Sequence, residues 1–230
     1  MATTESPPSS RRRRAALEQY RRRARIYDVE LAMFEPLRRA AIARLDLRLG
    51  QRVIDVGCGT GLSLTLLRRD VGATGHITGI EQCPPMIERA RAVVEHHGWR
   101  NVSLIQSSIE GAALRRDADA ALFHFTHDIL REPRALHAIE QGLRPGARVV
   151  ACGLRWANPW AWPVNLFVLG AALHSVTSLD GLDAPWSLLS GYLDDLRLET
   201  RAAGAVFIAS GVLRQPRRRT SATTATKGHA

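Results

Sequence analysis

Two carboxylates and a run of glycines are the residues of this 230-residue chain whose types and spacing could do chemistry. The segment Val53-Ile54-Asp55-Val56-Gly57-Cys58-Gly59-Thr60-Gly61 carries an acid inside an apolar run and then three glycines in five positions. Glycine has no Cβ and tolerates positive φ, so such a turn lets backbone approach a ligand closely. Asp55 would be costly to bury unless it accepted N–H groups or faced a cation. A second apolar run ends at Gly79-Ile80-Glu81, where a carboxylate can accept both hydroxyls of a ribose. Short glycine-rich turns also serve packing, and Glu81 alone could merely precede a helix. Taken together, they suit a nucleoside ligand that carries positive charge.

A dinucleotide fingerprint needs its third glycine one place later, where Leu62 stands, and Asp55 would repel a pyrophosphate. Further along, Leu122-Phe123-His124-Phe125-Thr126-His127-Asp128 runs from apolar to polar. His127 is the best candidate there for a general base, because an unperturbed imidazole titrates near about 6.5. The alternative is that Thr126, His127 and Asp128 only shape a turn. No spacing of His, Cys, Asp and Glu suggests a metal site.

The elements that must position these groups follow from periodicity. Residues 15–45 read as one helix, with Leu31, Phe34, Leu37, Arg38, Ala41, Ile42 and Leu45 on a mostly apolar face. Strands are expected at Arg52–Val56, His76–Ile80, Val102–Ile105, Ala118–Phe125 and Arg148–Gly153. Helices are expected at Leu62–Arg69, Pro84–His97 and Pro133–Leu143, with a turn at Arg144-Pro145-Gly146. Such alternation requires right-handed crossovers and a mainly parallel sheet covered on both faces. Leu196–Thr200 and Ala205–Ser210 stand too close for a crossover, so an antiparallel hairpin should close the sheet.

Charge is concentrated at the ends. The chain is formally +10, but residues 1–25 account for +6 and residues 214–230 for +5, leaving the body near −1. Residues 1–14 and 214–230 are therefore expected to be disordered basic tails around one domain, residues 15–213. The first ten residues lack an apolar core, so no secretory signal is expected. Cys58, Cys83 and Cys152 are far apart in sequence and form no C-x-x-C pair, which suits a reducing cytoplasm.

V-I-D-V-G-C-G-T-G, G-I-E-Q-C-P-P-M-I-E-R-A-R and L-R-P-G-A-R-V-V resemble the class I S-adenosylmethionine-dependent methyltransferases, with the quinone-biosynthesis and phospholipid-type enzymes as the closest subgroup. The resemblance covers about residues 20 to 155 and includes an upstream Tyr20-x6-Tyr27-Asp28. It implies an α/β fold: a Rossmann-like, seven-stranded, mainly parallel sheet with helices on both faces and the last strand antiparallel.

It also implies a cofactor, S-adenosylmethionine, with S-adenosylhomocysteine as product. Asp55, Gly57, Cys58, Gly59, Thr60 and Gly61 would line its methionine end, and Glu81 would hold the ribose. Gln82 and Met86 would lie near the adenosine. Ser107, Ser108 and Ile109 would flank the adenine, and Phe125 would close the site at the end of the fourth strand. Tyr27 would cover the cofactor carboxylate. The family usually has aspartate where Ser108 stands, and a common serine is replaced by Cys83.

The acceptor is expected among Tyr20, His124, Trp156, Trp160 and Trp162. The stretch from Trp156 to Leu179 contains no formal charge, and four of the five tryptophans lie between residues 156 and 186, where the family carries an insertion that covers the substrate. Core packing or a dimer seam would explain that stretch. Otherwise it is a lid over a small apolar or aromatic acceptor, with transient contact to a membrane surface. The chain is expected to be a monomer or homodimer that does not bind nucleic acid. Two other readings remain: a Rossmann-type NAD-dependent oxidoreductase, and an RNA-binding or RNA-modifying protein using the basic ends.

Overall fold

A computed structural model describes residues 34–175 and 180–214. Tyr20, Tyr27, the expected basic tail 1–14 and most of the C-terminal one lie outside the described residues. Of the long helix expected over 15–45, the described part is α1, Glu35–Arg44.

Seven strands form one sheet: β1 Arg52–Val56, β2 His76–Glu81, β3 Val102–Gln106, β4 Ala118–His124, β5 Leu143–Leu154, β6 Leu193–Arg201 and β7 Val206–Leu213. Their spatial order is β3-β2-β1-β4-β5-β7-β6. The first five strands run parallel, and β7 is antiparallel to both β5 and β6. Order therefore reverses between β1 and β4. In an open α/β sheet a ligand sits in the crevice above such a switch point, at the carboxyl ends of the strands.

The helices are α2 Leu64–Val71, α3 Pro84–His96, α4 His127–Leu130, α5 Pro133–Gly142 and α6 Trp162–Ser175. One face of the sheet packs Val53, Ile77, Leu122 and Val150 against α1, α2 and α3 through Leu37, Ile42, Leu67 and Ala90. The other packs Val56, Ile80, Phe123 and Ala151 against α4 and α5 through Leu130, Leu136 and Ile139. Phe123 and Phe207 are fully buried, each contributing about 1.5–3 kcal/mol by leaving water.

Several boundaries shift by a few residues from those expected, as in β6 and β7, and two differences change the reading of a segment. The turn Arg144-Pro145-Gly146 lies within β5: Leu143 already pairs with Ala118, and the ladder shifts register before Ala120 pairs with Arg148. Arg214, counted by sequence with the basic C-terminal tail, belongs to the fold. Its Nε donates to Asp194 Oδ1 at 2.9 Å and its Nη1 to the Gly191 carbonyl at 2.9 Å. Between β5 and β6 lie the 3₁₀ turn Pro159–Ala161, α6 and a second 3₁₀ turn, Leu189–Tyr192. No helix among the described residues is long and apolar enough to cross a membrane.

Candidate functional site

The glycine turn leaves β1 at the switch point. Its backbone is stitched to β2, with Cys58 N–H donating to the Ile80 carbonyl at 3.0 Å and Gly61 N–H to the Cys58 carbonyl at 2.9 Å. Gly57 has φ +67°, and a Cβ there would come within 2.7 Å of Thr126 Cγ2. Gly61 has φ +87°, and a Cβ would fall 2.8 Å from Leu64 Cδ1 and 3.3 Å from the backbone of Ala90. The glycines thus serve a left-handed turn that also lets α2 and α3 close in beneath it. They leave a bare cradle of backbone above the sheet.

Glu81 ends β2 as expected and faces that cradle. Its Oε2 accepts from Gly59 N–H at 3.1 Å and its Oε1 from Cys83 N–H at 2.7 Å. Burial pushes the carboxyl upward, and the amides of Cys83, Gly59 and Gln82 oppose that shift. A carboxylate offers about four lone-pair sites, so acceptor capacity remains beyond these three amides for a hydroxyl donor. Ser107 N–H donates to the Glu81 carbonyl at 3.1 Å, which brings the end of β3 alongside. The hydroxyls of Ser107 and Ser108 both lie near Gly111, where a Cβ would meet them at 2.9 and 3.4 Å. Ile109 and Met86 are buried, Ile109 within the core behind β2.

Asp55 is 1% exposed, and its Oδ2 has no hydrogen-bond partner among the described residues. Desolvation raises its pKa to about 7, with Arg38 pulling it down and Glu81 pushing it up. Such a group calls for a donor or a cation from a ligand.

Phe34, at the N-cap of α1, lies on Phe125, ring centroids 4.7 Å apart. Phe125 takes φ +58°, a strained conformation for an aromatic residue, at the point where β4 gives way to α4. His124, the last residue of β4, stands against Phe125 at 4.9 Å, and its Nε2 is buried with no partner among the described residues. Desolvation, then the Arg38 charge, lowers its pKa to about 3, so the ring is neutral near pH 7.

His127, a candidate general base or a turn-shaping residue by sequence, stands in different surroundings. It is buried on the opposite face of the sheet, with Nε2 2.6 Å from the Leu154 carbonyl. A carbonyl only accepts, so Nε2 carries the proton and donates. The ring also lies against Phe207 at 6.2 Å and fills the space a Gly153 side chain would need, within 2.7 Å of where a Cβ would stand. That placement suits packing of the turn.

The tryptophans divide. Trp156 packs with Ala157, Ala161, Val168 and Ala205. Trp186 lies on Phe207 at 5.0 Å, with the Arg155 guanidinium 5.6 Å above it. Trp160 and Trp162, expected at the acceptor, are 74% and 65% exposed and face solvent.

Sequence reasoning missed Arg38. It lies among the core-facing positions of α1, is 2% exposed, and leaves Nε and Nη2 without partners among the described residues. The signal was present: a charge on an otherwise apolar helix face needs a partner to be buried.

A family model described as a methyltransferase domain matches residues 47–166. A protein-L-isoaspartate O-methyltransferase of Methanothrix thermoacetophila is 32% identical over 106 residues, which are 46% of this chain and 49% of that protein. An aklanonic acid methyltransferase of Streptomyces sp. is 38% identical over 77 residues, 34% of this chain and 35% of that protein. The chain thus spans about half or less of the length of these curated relatives. Among solved structures, a SAM-dependent methyltransferase from Aquifex aeolicus superposes with a TM-score of 0.55 at 20% identity, covering 80% of this chain and 92% of that one.

Proposed function

The chain belongs to the methyltransferase-domain family, and on that premise we propose that it transfers the methyl group of S-adenosylmethionine to a small, apolar or aromatic acceptor. The observation that carries this reading is the buried Oδ2 of Asp55, unpartnered among the described residues, on the strand that leads into the Gly57–Gly61 turn, which Glu81 fixes by its hydrogen bond to Gly59. A buried acid seeking positive charge, under a cradle of bare backbone, fits a sulfonium nucleoside with an α-ammonium group. It disfavours a dinucleotide, whose pyrophosphate it would repel.

When bound, the cofactor supplies an electrophilic methyl group. The rest falls to the chain. The turn and Asp55 hold the methionine end, and Glu81 offers its remaining acceptor capacity to the ribose. Phe34 and Phe125 keep water from the cradle. A methyl group on sulfonium is a strongly activated electrophile, so holding the acceptor in line supplies most of the acceleration. His124, neutral and with a pKa near 3, is a weak proton acceptor but can orient an acceptor oxygen or nitrogen by a hydrogen bond. Phe34 and Phe125 give the carboxyl end of β4 an aromatic character that favours a flat, apolar acceptor. The quinone- and phospholipid-type enzymes remain the subgroup this reading points to.

The test is transfer of an isotopically labelled methyl group from S-adenosylmethionine into a cell extract. Label in organic-soluble small molecules supports the reading. Label only in base-labile methyl esters of protein would assign the chain a carboxyl-methylating role instead, as the name of the isoaspartate relative would suggest.

A further inference from the structure

The crossover from β3 to β4 holds only the 3₁₀ turn Ile109–Gly111, where a connection between parallel strands usually carries an α-helix. The sheet below it is left partly open: Thr78 and Ile105 are half-buried and Ser103 is exposed. A cavity of about 310 Å³ lies there, toward the amino ends of the strands. Its apolar walls are Ile54, Ile105 and Leu114. The last residue of α5 backs them, since a Cβ on Gly142 would stand 3.0 Å from Leu114 and 3.2 Å from Ile54. Thr78 and Ser103 pair across the β2–β3 ladder, so two neighbouring hydroxyls share the lining. The volume is that of about ten waters, at the small end of the range for ligand sites.

The charges of the lining do not balance. Arg52 and Arg115 converge on one oxygen: Oδ2 of Asp117 lies 3.2 Å from Arg52 Nε and 3.6 Å from Arg115 Nε. Asp117 is the one acid of the lining among the described residues. The nearby Asp119 is engaged by the Arg144 guanidinium and by the Arg52 amide, the latter at 2.6 Å. One positive charge is thus left over. Arg52 Nε is also buried and completes no hydrogen bond among the described residues, so its approach to Asp117 is one of charge without an aligned N–H. A buried donor left in that state is costly, and an anion in the cavity would supply its acceptor. His76 pairs with Arg52 across the β1–β2 ladder and adds no second charge near pH 7, because burial and then the Arg52 charge lower its pKa.

We propose that this cavity binds a small organic acid. The ligand is a monocarboxylate whose hydrocarbon part lies against Ile54, Ile105 and Leu114, and whose oxygens take Arg52, Arg115 and the hydroxyls of Thr78 and Ser103. One negative charge balances the surplus, and guanidinium edges suit the two oxygens of a carboxylate. The apolar walls suit a body of about benzoate size, which an inorganic anion lacks. The site stands apart from the glycine turn, at the other end of the five-residue strand β1, about 13 Å away at about 3.3 Å per residue. It does not depend on what the turn binds.

Amide chemical-shift titration of the isotopically labelled full chain with sodium benzoate, benzamide and inorganic phosphate tests this. Benzoate should move the amides of Thr78 and Ser103 with a dissociation constant at or below about 1 mM, and leave those of Gly57 and Gly59 in place. Neutral benzamide, without the charge-assisted contacts, should bind at least about 10-fold more weakly, and phosphate, without the apolar ones, should do the same. Arg52→Gln should weaken benzoate by about 10-fold. Ser103→Leu, at an exposed position, should fill the cavity and abolish the benzoate shift at Thr78. Both variants should keep their affinity for S-adenosylhomocysteine within about twofold. Equal affinity of the wild type for benzoate and benzamide overturns the proposal whether or not the variants fold, and so does phosphate that matches benzoate. Absence of the Thr78 and Ser103 shifts at about 10 mM benzoate, or their persistence at Thr78 in Ser103→Leu, also overturns it.

Discussion

Oε2 of Glu81 accepts the amide of Gly59 at 3.1 Å, so the carboxylate that ends the second strand holds the turn that ends the first. Its other oxygen takes the amide of Cys83, which starts the next helix. One side chain thus fixes the cradle, and on the function proposed above it also meets the ribose. Glu81→Ala should weaken S-adenosylhomocysteine by about 10- to 100-fold, because it removes contacts to a charged, partly buried acceptor. Methylthioadenosine, which lacks the amino-acid end, should weaken by the same factor. A loss confined to S-adenosylhomocysteine would place Glu81 away from the ribose.

Asp55 should make the ligand-free protein less stable as pH rises. Its folded pKa is raised to about 7, above the ordinary carboxylate value near 3.9, so the stabilising effect of the neutral form is complete below about pH 4. That effect drains away between about pH 4 and 7, where the unfolded chain has lost the proton and the folded one still holds it, at up to about 1.4 kcal/mol per pH unit. Asp55→Asn should flatten this slope in denaturant unfolding measured from pH 4.5 to 7.5. An unchanged slope in the variant would show that Asp55 does not titrate in this range.

His127 should matter for stability and little for the cofactor. Removing the ring in His127→Ala loses the bond to Leu154 and opens a hole against Phe207, at a cost of about 1–3 kcal/mol. Affinity for S-adenosylhomocysteine should stay within about twofold. A protein that kept its stability while its labelled-methyl transfer collapsed would restore the general-base role expected from the sequence.

Trp160 and Trp162 stand outward on an uncharged segment, and we propose that they serve a transient contact with a membrane surface. Replacing both with serine should alter unfolding free energy by less than about 0.5 kcal/mol, as for other surface substitutions. It should also lower co-sedimentation with anionic phosphatidylglycerol vesicles. Undiminished sedimentation would remove the tryptophans from any such contact.

The sheet was legible because its strands are short apolar runs that stop at a glycine, as at Val56-Gly57, or at a polar residue, as at Ile80-Glu81. The closing hairpin was legible from spacing alone. Its turn was not, since Ala202 and Ala203 adopt φ of +51° and +54° that alanine does not advertise. The two histidines show a finer limit. Alternation along β4 puts Leu122 and His124 on the face under α1, whereas His127 follows the turn at Phe125 and drops behind the sheet. An ordinary imidazole pKa singled out His127 in the sequence, whereas in the fold burial lowers the pKa of both rings. Arg38 was visible as a charge on an apolar face, but its near-complete burial followed only from the packing of α1 on the sheet.

We propose that the carboxyl ends of β1 and β4 take an S-adenosyl nucleoside. Calorimetric titration of the full chain with S-adenosylhomocysteine and, in parallel, with NADH tests it most directly. The account predicts a dissociation constant at or below about 100 μM for S-adenosylhomocysteine, within the range of ordinary substrate affinities, and no heat from NADH. Binding of NADH in its place, or of neither ligand at high micromolar concentration, would contradict it.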